Sequence, residues 1–297
     1  MSLFEIALTN FLSSLLLAGL YALAAYGLTL IYGVMKIVDV SQGALITLGA
    51  YLAYALYSHS GVDPLVSPLV AFPLFFAYGY FVQSGIARRA LRGYRGGQVM
   101  EFTLLLFFGL LLAITGLVYL IWTGNIRAVA TPYVTSAVEV LGVRLQVSRL
   151  FIFVYAMVIT ALLWFLLSKT DMGRAIRAVS QDADAARTCG IRVSRVFSVV
   201  FGIVCGLSAT AGSLMPAALA IHPAMGIEFI TISIVITIIG GMGNFIGALI
   251  GAVIYSGLHT LSILTVGPAY AIAIALAFMM VVLLFRPTGI LGERVRI

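Results

Sequence analysis

Charge is what this sequence lacks most. Of its 297 residues only 9% are charged, whereas 62% are hydrophobic, and the mean hydropathy is +1.15. A soluble globular chain carries about 25% charged residues. Because so few charged side chains cannot cover a surface that faces water, the surplus apolar surface must face lipid. We therefore predict an integral membrane protein without a separate soluble catalytic domain.

Cysteine is also scarce, and the familiar catalytic and nucleotide-binding motifs are missing. Cys189 lies in a basic segment and Cys205 in an apolar run, so we expect no disulfide between them. His259 has no second metal-binding side chain at helical spacing, and we predict no metal site. The sequence has no Gly-x-x-x-x-Gly-Lys-Ser/Thr loop and no Ser-His-Asp or zinc-protease pattern. The chain is therefore predicted to be no enzyme and to carry no cofactor of its own.

Long uncharged runs predict membrane-spanning helices. They cover residues 6–35, 40–62, 64–87, 102–126, 150–168, 196–227 and 229–285. A span needs about 20 residues, so the last run is too long for one. The glycines from Gly240 to Gly243 and the pair Gly267-Pro268 divide it into three. The prediction is an all-α, polytopic helical bundle of about nine spans, with eight as the alternative, forming a single transmembrane domain over 1–297.

The positive charges indicate how the chain is oriented in the membrane. The net charge is +7, and most basic residues fall in three clusters between or after the apolar runs. The clusters are Arg88, Arg89, Arg92 and Arg95; Lys169, Arg174, Arg177, Arg187, Arg192 and Arg195; and Arg286, Arg294 and Arg296. Short loops rich in Lys and Arg stay on the cytoplasmic side. We therefore predict a cytoplasmic C-terminus and an N-terminus outside, and we expect no nucleic-acid partner.

Two connecting segments are long enough to carry function. The segment 124–149 is predicted to be external, and its weak alternation over 137–145 fits either a small hairpin or a short interfacial helix. The segment 169–195 is predicted to be cytoplasmic and is the most polar part of the chain. It is the first place to look for a functional surface.

The middle of the segment 169–195 predicts a short capped helix. Asp182 suits the N-cap, Asp184 the positive end of the helix dipole, Arg187 the opposite end, and Gly190 a left-handed C-cap. A helix of about two turns that presents small alanines suits a groove in another protein. The alternative is a solvated connector between two spans.

Several motifs resemble a known family of transport proteins. Asp184-Ala185-Ala186, followed at the fourth position by Gly190, resembles the EAA-type coupling loop of bacterial ABC-importer permeases, with Asp in place of Glu. The branched-chain amino acid permease family in particular is similar in the two flanks of this loop and in three further places. The two flanks are residues 170–178 and 190–196. The three further places are 19–23 with 27–33, 239–244 with 247–248, and 286–292.

The resemblance implies a role and a set of partners. The chain is similar to the smaller of the two paired permease subunits of a bacterial cytoplasmic (inner) membrane importer. A second permease subunit then completes the pore, two cytoplasmic ATPase subunits hold ATP and Mg, and an extracytoplasmic binding protein delivers the solute. The residues implied to couple to the ATPases are Asp182, Asp184, Ala185, Ala186, Arg187 and Gly190.

One segment departs from the family pattern and bears on the cargo. After the first span the family usually has Asn-Phe-Ala-His-Gly-Glu, whereas this chain has Asp39-Val40-Ser41-Gln42-Gly43-Ala44. The resemblance implies branched-chain or other hydrophobic amino acids as cargo, and the departure leaves urea, amides or aromatic acids as the alternative. Candidate residues of the substrate pathway are Asp39, Gln42, Gly43, Gly240, Gly241, Gly243 and Asn244.

These candidates have other interpretations. Asp39 fits an interfacial residue in water or a partner of Lys36 as well as a residue of the inner gate. Glycines near Gly240 let helices pack closely, or mark broken helices whose ends face a solute. A member of a different class, the ion-coupled secondary transporter, needs acidic residues at mid-membrane, whereas those of this chain are predicted near span ends.

Overall fold

The architecture is a bundle of helices joined by short turns. It is seen in a computed structural model that describes residues 3–87, 97–129, 131, 136–140 and 143–292. The basic residues Arg88, Arg89, Arg92, Arg95, Arg294 and Arg296 lie outside the described residues.

Eleven α-helices and one β-hairpin make up the described residues. The first helices are α1 (Leu3–Met35), α2 (Gln42–Ser60), α3 (Pro68–Phe81, extended by a π-turn over Val82–Ala87) and α4 (Gly97–Trp122). Strands β1 (Ala137–Val140) and β2 (Val143–Gln146) precede α5 (Val147–Lys169), α6 (Asp171–Gln181) and α7 (Ala183–Thr188). The remaining helices are α8 (Val193–Leu214, with a 3-10 turn over Met215–Ala217), α9 (Met225–Gly240), α10 (Phe245–Thr265) and α11 (Ala271–Phe285, after a 3-10 turn over Pro268–Tyr270).

The all-α, membrane-spanning architecture predicted from the sequence is confirmed. Six of the described helices, α1, α4, α5, α8, α10 and α11, are long and apolar enough to cross a membrane, and α9 is apolar but shorter. The last uncharged run is divided where its glycines predict, by the turn at Gly241–Asn244 and by the break at Gly267. The number of spans, nine or eight, stays a prediction.

Two long helices form the centre of the bundle. Nearly all of α1 and α8 is buried, and α1 packs against α5, α8, α9 and α10 while α8 packs against α1, α2 and α3. In lipid every backbone N–H and C=O must be satisfied within the protein, and a helix does this along its own length. The central helices can therefore pack against one another without hydrogen bonds between their backbones.

Glycines set how closely these helices approach. A Cβ atom added to Gly49 on α2 would lie 2.8 Å from the Cα of Ala209 on α8. A Cβ added to Gly212 on α8 would press on the carbonyl of Ile46, and one added to Gly79 on α3 would lie 2.7 Å from the Sγ of Cys205. Contacts this close between backbones require the absence of a side chain.

The outer helices present apolar side chains to their surroundings. On α4, α5 and α11 most of the helix surface is exposed. The exposed large side chains include Leu105, Leu117 and Leu120 on α4, Phe151, Leu162 and Trp164 on α5, and Met280, Leu284 and Phe285 on α11. Lipid, or another apolar membrane subunit, must cover these faces.

The segment predicted as a loop over 124–149 contains a β-hairpin. Ala137 pairs with Gln146 and Val140 with Val143 in an antiparallel register, so the hairpin alternative describes the fold and the interfacial-helix alternative is wrong. Strand β2 runs directly into α5, which begins at Val147. Earlier in the same segment, the backbone of Arg127 forms a two-bond antiparallel bridge with Ile221, which ties it to the α8–α9 connection.

The close contact of α2 with α8 generates a stability prediction. Gly49→Ala places a methyl group against the backbone of Ala209, and overpacking of this kind costs about 1–3 kcal/mol. We expect a lower melting temperature in detergent. The matched control is Gly109→Ala on α4, where nothing lies within 4 Å of the added atom. Equal melting temperatures for the two variants would show that the α2–α8 contact has been misplaced.

Candidate functional site

The segment between α5 and α8 folds into two helices that lie against one end of the bundle. A sharp turn follows α5, in which the hydroxyl of Thr170 donates to the carbonyl of Leu166 (2.5 Å) and accepts from the N–H of Gly173 (3.0 Å). A Cβ on Gly173 would collide with the carbonyls of Leu166 and Leu167, so the turn requires glycine there. This turn directs α6 back onto the bundle.

Helix α6 is amphipathic, and this fixes which face it buries. Gly173, Ile176 and Val179 are buried, whereas Arg174 and Arg177 are exposed. The buried face packs against α1, α5 and α8. The exposed face carries Arg177 and an ion pair of Arg174 with Asp171, so α6 presents a charged surface away from the bundle.

Helix α7 has the caps that its sequence predicts. The carboxylate of Asp182 accepts from the N–H groups of Asp184 and Ala185, both at 2.9 Å. At the other end Gly190 adopts φ +84°, and the N–H of Ile191 donates to the carbonyl of Ala186. Both caps are confirmed, although the helix covers only Ala183–Thr188, which is less than two turns.

The surface of α7 is charged and exposed. Asp184 and Arg187 form an ion pair at 2.8 Å with 88% and 62% of their side chains exposed. Ala185 is exposed, whereas Ala186 is buried and anchors the helix. An exposed pair of this kind contributes little to stability, so its place on the surface is available for contact with another molecule.

The structure brings the six predicted coupling residues together in one short helix with its caps. Sequence reasoning did not select Thr170 and Gly173 as functional, although both lie in a flank that carries the family resemblance. The signal was local: a threonine three residues before a glycine, directly after a helix that ends in lysine. All six basic residues between Lys169 and Arg195 are exposed at this end of the bundle.

The connection between α1 and α2 is buried, and so is Asp39. Its side chain is 0% exposed and accepts from the N–H (2.8 Å) and hydroxyl (2.6 Å) of Ser41. The interpretation of Asp39 as an interfacial residue in water is therefore wrong, and among the described residues it forms no ion pair with Lys36, which is exposed. Burial raises the pKa of Asp39 from 3.8 to about 6.

Gln42, the first residue of α2, lies in a buried polar contact of three helices. A Cβ on Gly27 of α1 would lie 2.7 Å from the Oε1 of Gln42 and 2.9 Å from the Oγ of Ser208 on α8. Both side chains are 0% exposed, and among the described residues neither the Gln42 amide nor the Ser208 hydroxyl has a hydrogen-bond partner. Buried polar groups without partners are costly, so this contact is a candidate for a functional role.

Gly43 marks a meeting point of two helix beginnings. It packs directly on Gly226 in the first turn of α9, and a Cβ on Gly226 would lie 2.7 Å from the hydroxyl of Thr47. Both glycines are buried. The N-termini of α2 and α9 therefore abut in the interior.

The other predicted pathway residues form a joint at the end of the bundle where α6 lies. Asn244 caps α10 by accepting from the N–H of Gly247 (3.0 Å), and its amide nitrogen donates to the carbonyl of Leu291 (2.9 Å). Gly241 and Gly243 have φ of +107° and +90°. The N–H groups of Ile290 and Leu291 donate to the carbonyls of Ile239 and Gly240. These contacts agree with the interpretation in which the glycines allow close packing, and Gly240 lies directly against Gly247.

The candidate pathway residues therefore form two groups. One contains Asp39, Gln42 and Gly43, and the other runs from Gly240 to Asn244. Gly33 on α1 and Gly243 connect the second group to the end of α1, since a Cβ on Gly33 would lie 3.0 Å from the Cα of Gly243. That these two groups of residues line a substrate pathway stays a prediction. Within the described part of the chain no group of three His, Cys, Asp or Glu side chains is placed to hold a metal ion.

A bundle of apolar helices with one exposed, charged two-helix segment is the architecture of a multi-pass membrane protein. Over residues 10–285 the chain matches the family described as the permease component of the branched-chain amino acid transport system. The chain belongs to this family. The family resemblance drawn from the sequence is thus confirmed, and with it the assignment as a transport subunit of the ABC permease type.

Two relatives are similar along nearly the whole chain, and a third over most of it. The high-affinity branched-chain amino acid transport system permease protein BraD of Pseudomonas aeruginosa is 27% identical over 96% of this chain and 96% of its own. The corresponding permease protein LivH of Salmonella typhimurium is 27% identical over 93% of this chain and 92% of its own. The fructose import permease protein FrcC of Rhizobium meliloti is 28% identical over 78% of this chain and 69% of its own.

The N-cap of α7 generates a local prediction. Asp182→Ala removes the acceptor of two backbone N–H groups and costs about 1 kcal/mol of helix stability. We expect amide hydrogen exchange at Asp184 and Ala185 to accelerate about fivefold, while exchange in α6 is unchanged. Asp182→Asn keeps an acceptor oxygen and is the control. Unchanged exchange in the alanine variant would mean that Asp182 does not cap this helix.

Proposed function

We propose that this chain is one permease subunit of an ATP-driven importer in the bacterial cytoplasmic membrane. A second permease subunit completes the pore, and an extracytoplasmic binding protein delivers the solute. Two ATPase subunits dock from the cytoplasm on the coupling helices of the permease pair, which in this chain lie in the segment 169–195. ATP and Mg belong to the ATPase subunits. The segment 124–149 faces outward, as does the N-terminus, and the C-terminus faces the cytoplasm.

The geometry of α6 and α7 is the observation that carries this proposal. One face of the segment packs on the central helices α1 and α8, and the opposite face exposes charged side chains and Ala185. A partner that binds the exposed face can therefore move two central helices. That is the mechanical requirement for coupling ATP hydrolysis to alternating access.

The cargo proposed here is a branched-chain or other hydrophobic amino acid. The names of BraD and LivH support it, as does a bundle interior with few charges. FrcC, a relative named for fructose import, shows that similar chains serve other solutes, and Gln42 stands where the family usually has histidine. Urea, amides and aromatic acids therefore remain the alternative cargo.

Coupling is tested by changing the C-cap of α7. Gly190 adopts φ +84° with nothing within 4 Å, so Gly190→Val causes backbone strain without a steric clash. The left-handed conformation costs a residue with a Cβ about 1–2 kcal/mol, and more when it is β-branched. We expect uptake and substrate-stimulated ATP hydrolysis to fall together by about tenfold in the reconstituted transporter.

The matched control is Gly257→Val on α10, which also has nothing within 4 Å but has an ordinary helical φ. Asp184→Lys is a second test, because it reverses the charge beside Arg187 without entering a membrane span. If both Gly190→Val and Asp184→Lys transport at the parental rate and associate normally with the ATPase, the segment 169–195 is only a connector between two spans.

Orientation is tested with the two cysteines. Cys189 is exposed beside α7, whereas Cys205 is fully buried on α8. In a Cys205→Ala background, a membrane-impermeant thiol reagent should label Cys189 in inside-out vesicles and leave it unlabelled on intact cells. Labelling of Cys189 on intact cells would mean that the orientation is opposite to the one proposed.

A further inference from the structure

Helix α5 ends in a lysine that continues an exposed apolar face. One stripe of the helix carries large apolar side chains that are each more than half exposed, namely Phe151, Val154, Val158, Leu162 and Phe165. At 3.6 residues per turn these positions lie on one side of the helix, and Lys169 lies on the same side. Lys169 is itself exposed. A cation therefore stands at the end of a face that lipid can cover.

The uncharged part of α5 matches the thickness of a bilayer. Residues 150–168 contain no charged side chain, and a helix of that length spans about 28 Å. The hydrocarbon core of a bilayer is about 30 Å thick, so Lys169 lies at its boundary. Trp164 is 53% exposed, and the Nζ of Lys169 lies 6.0 Å from the centre of its ring. An exposed tryptophan and a lysine at the end of a span are typical of the membrane–water interface.

Helix α1 runs beside α5 in register. A Cβ on Gly19 would lie 2.9 Å from the Cα of Phe153, and the hydroxyl oxygens of Tyr26 and Thr160 lie 2.5 Å apart. Both pairs of residues are separated by 134 positions in the chain. Because α1 ends at Met35 and α5 ends 134 residues later, the two helices end at the same depth.

The end of α1 repeats the arrangement at the end of α5. Lys36 directly follows α1 and is exposed, and its Nζ lies 6.0 Å from the centre of the Tyr32 ring. The two helices differ in their surroundings, since nearly all of α1 is buried whereas most of α5 is exposed. Of the two lysines, Lys169 alone therefore follows a helix whose apolar surface faces outward.

The first turn of α6 adds a second cation close to Lys169. Arg174 is exposed and forms an ion pair with Asp171, which leaves the turn with one positive charge in excess. Among the described residues no carboxylate forms an ion pair with Lys169. Ammonium and guanidinium groups are the side-chain donors that bind phosphate.

We propose that Lys169 and Arg174 bind the phosphate headgroup of an anionic phospholipid whose acyl chains lie along the exposed stripe of α5. The excess of positive charge selects an anionic lipid over a zwitterionic one. The apolar stripe directly above the cations selects a lipid over a free phosphate ion. Since α6 begins two residues after Lys169, the bound headgroup holds the start of the segment 169–195 at the membrane surface.

The test uses Trp164 as a local probe, because brominated acyl chains quench tryptophan fluorescence on contact. The complete transporter is reconstituted in bilayers that contain a small, equal fraction of brominated phosphatidylglycerol or brominated phosphatidylcholine. Subtracting the signal of a Trp164→Phe variant isolates the fluorescence of Trp164. We expect phosphatidylglycerol to be preferred about fivefold in the wild type.

Variants assign the preference to the two cations. Lys169→Gln should abolish most of it and Arg174→Gln part of it, while Lys169→Arg should keep it. The matched control is Lys36→Gln, which removes a lysine at the same depth, also beside an aromatic ring, but after a buried helix. We expect this variant to keep the full preference. If Lys169→Gln does not assemble, Arg174→Gln decides the test.

Several outcomes overturn the inference. Equal quenching by the two lipids in the wild type would do so, and so would a full preference in Lys169→Gln. Equal losses in Lys36→Gln and Lys169→Gln would show general attraction by surface charge rather than a site. Absence of quenching by either lipid would show that a partner subunit covers this face of α5, and loss of the preference on addition of inorganic phosphate would identify a soluble anion. The measurement requires no transport, so its failure leaves the proposed import function standing.

Discussion

Direct backbone contact between helices is the constraint on which this structure depends. Lipid is as apolar as the side chains themselves, so helix association in a membrane relies on close packing rather than on exclusion of water. Gly212 against Ile46 and Gly43 against Gly226 provide that packing where α2 meets α8 and α9. In each contact, the backbone of the neighbouring helix occupies the space that a side chain on the glycine would fill. The position of α2, and hence of Gln42, follows from these contacts.

The two central helices join the candidate sites to each other. Helix α8 follows α7 after a short turn and carries Ser208, and α1 contacts α6 and carries Gly27 beside Gln42. A displacement of α6 and α7 therefore reaches the unpaired amide of Gln42 through two rigid elements. Buried polar groups without partners are costly, so an arrangement of helices that pairs them is favoured at this contact.

Much of the fold was predictable because it follows from hydropathy and from local backbone chemistry. The apolar runs predict the helices, and the caps of α7 depend on Asp182 and Gly190 alone. The burial of Asp39 was not predictable, since a charged residue beside a span end normally faces water, and only the tertiary fold returns this connection to the interior.

The candidate sites divide in the same way. A helix cap is specified within a few residues, so the capped helix α7 was predictable from the sequence. Ser208 depends on a contact with Gly27 of α1, which is distant in the chain, and no local pattern distinguishes it. Asn244 was singled out as a polar residue among glycines. Its two hydrogen bonds show it as a cap and a tie to Leu291, which periodicity does not reveal.

That tie has a consequence for the order in which the protein is made. The carbonyls of Ile239 and Gly240 and the amide of Asn244 all bond to residues 290 and 291, close to the C-terminus. Those residues are synthesised after both α9 and α10. The joint between these helices is therefore completed only once residue 291 has been added. Nascent chains halted before residue 290 contain both helices but lack the hydrogen bonds that fasten them.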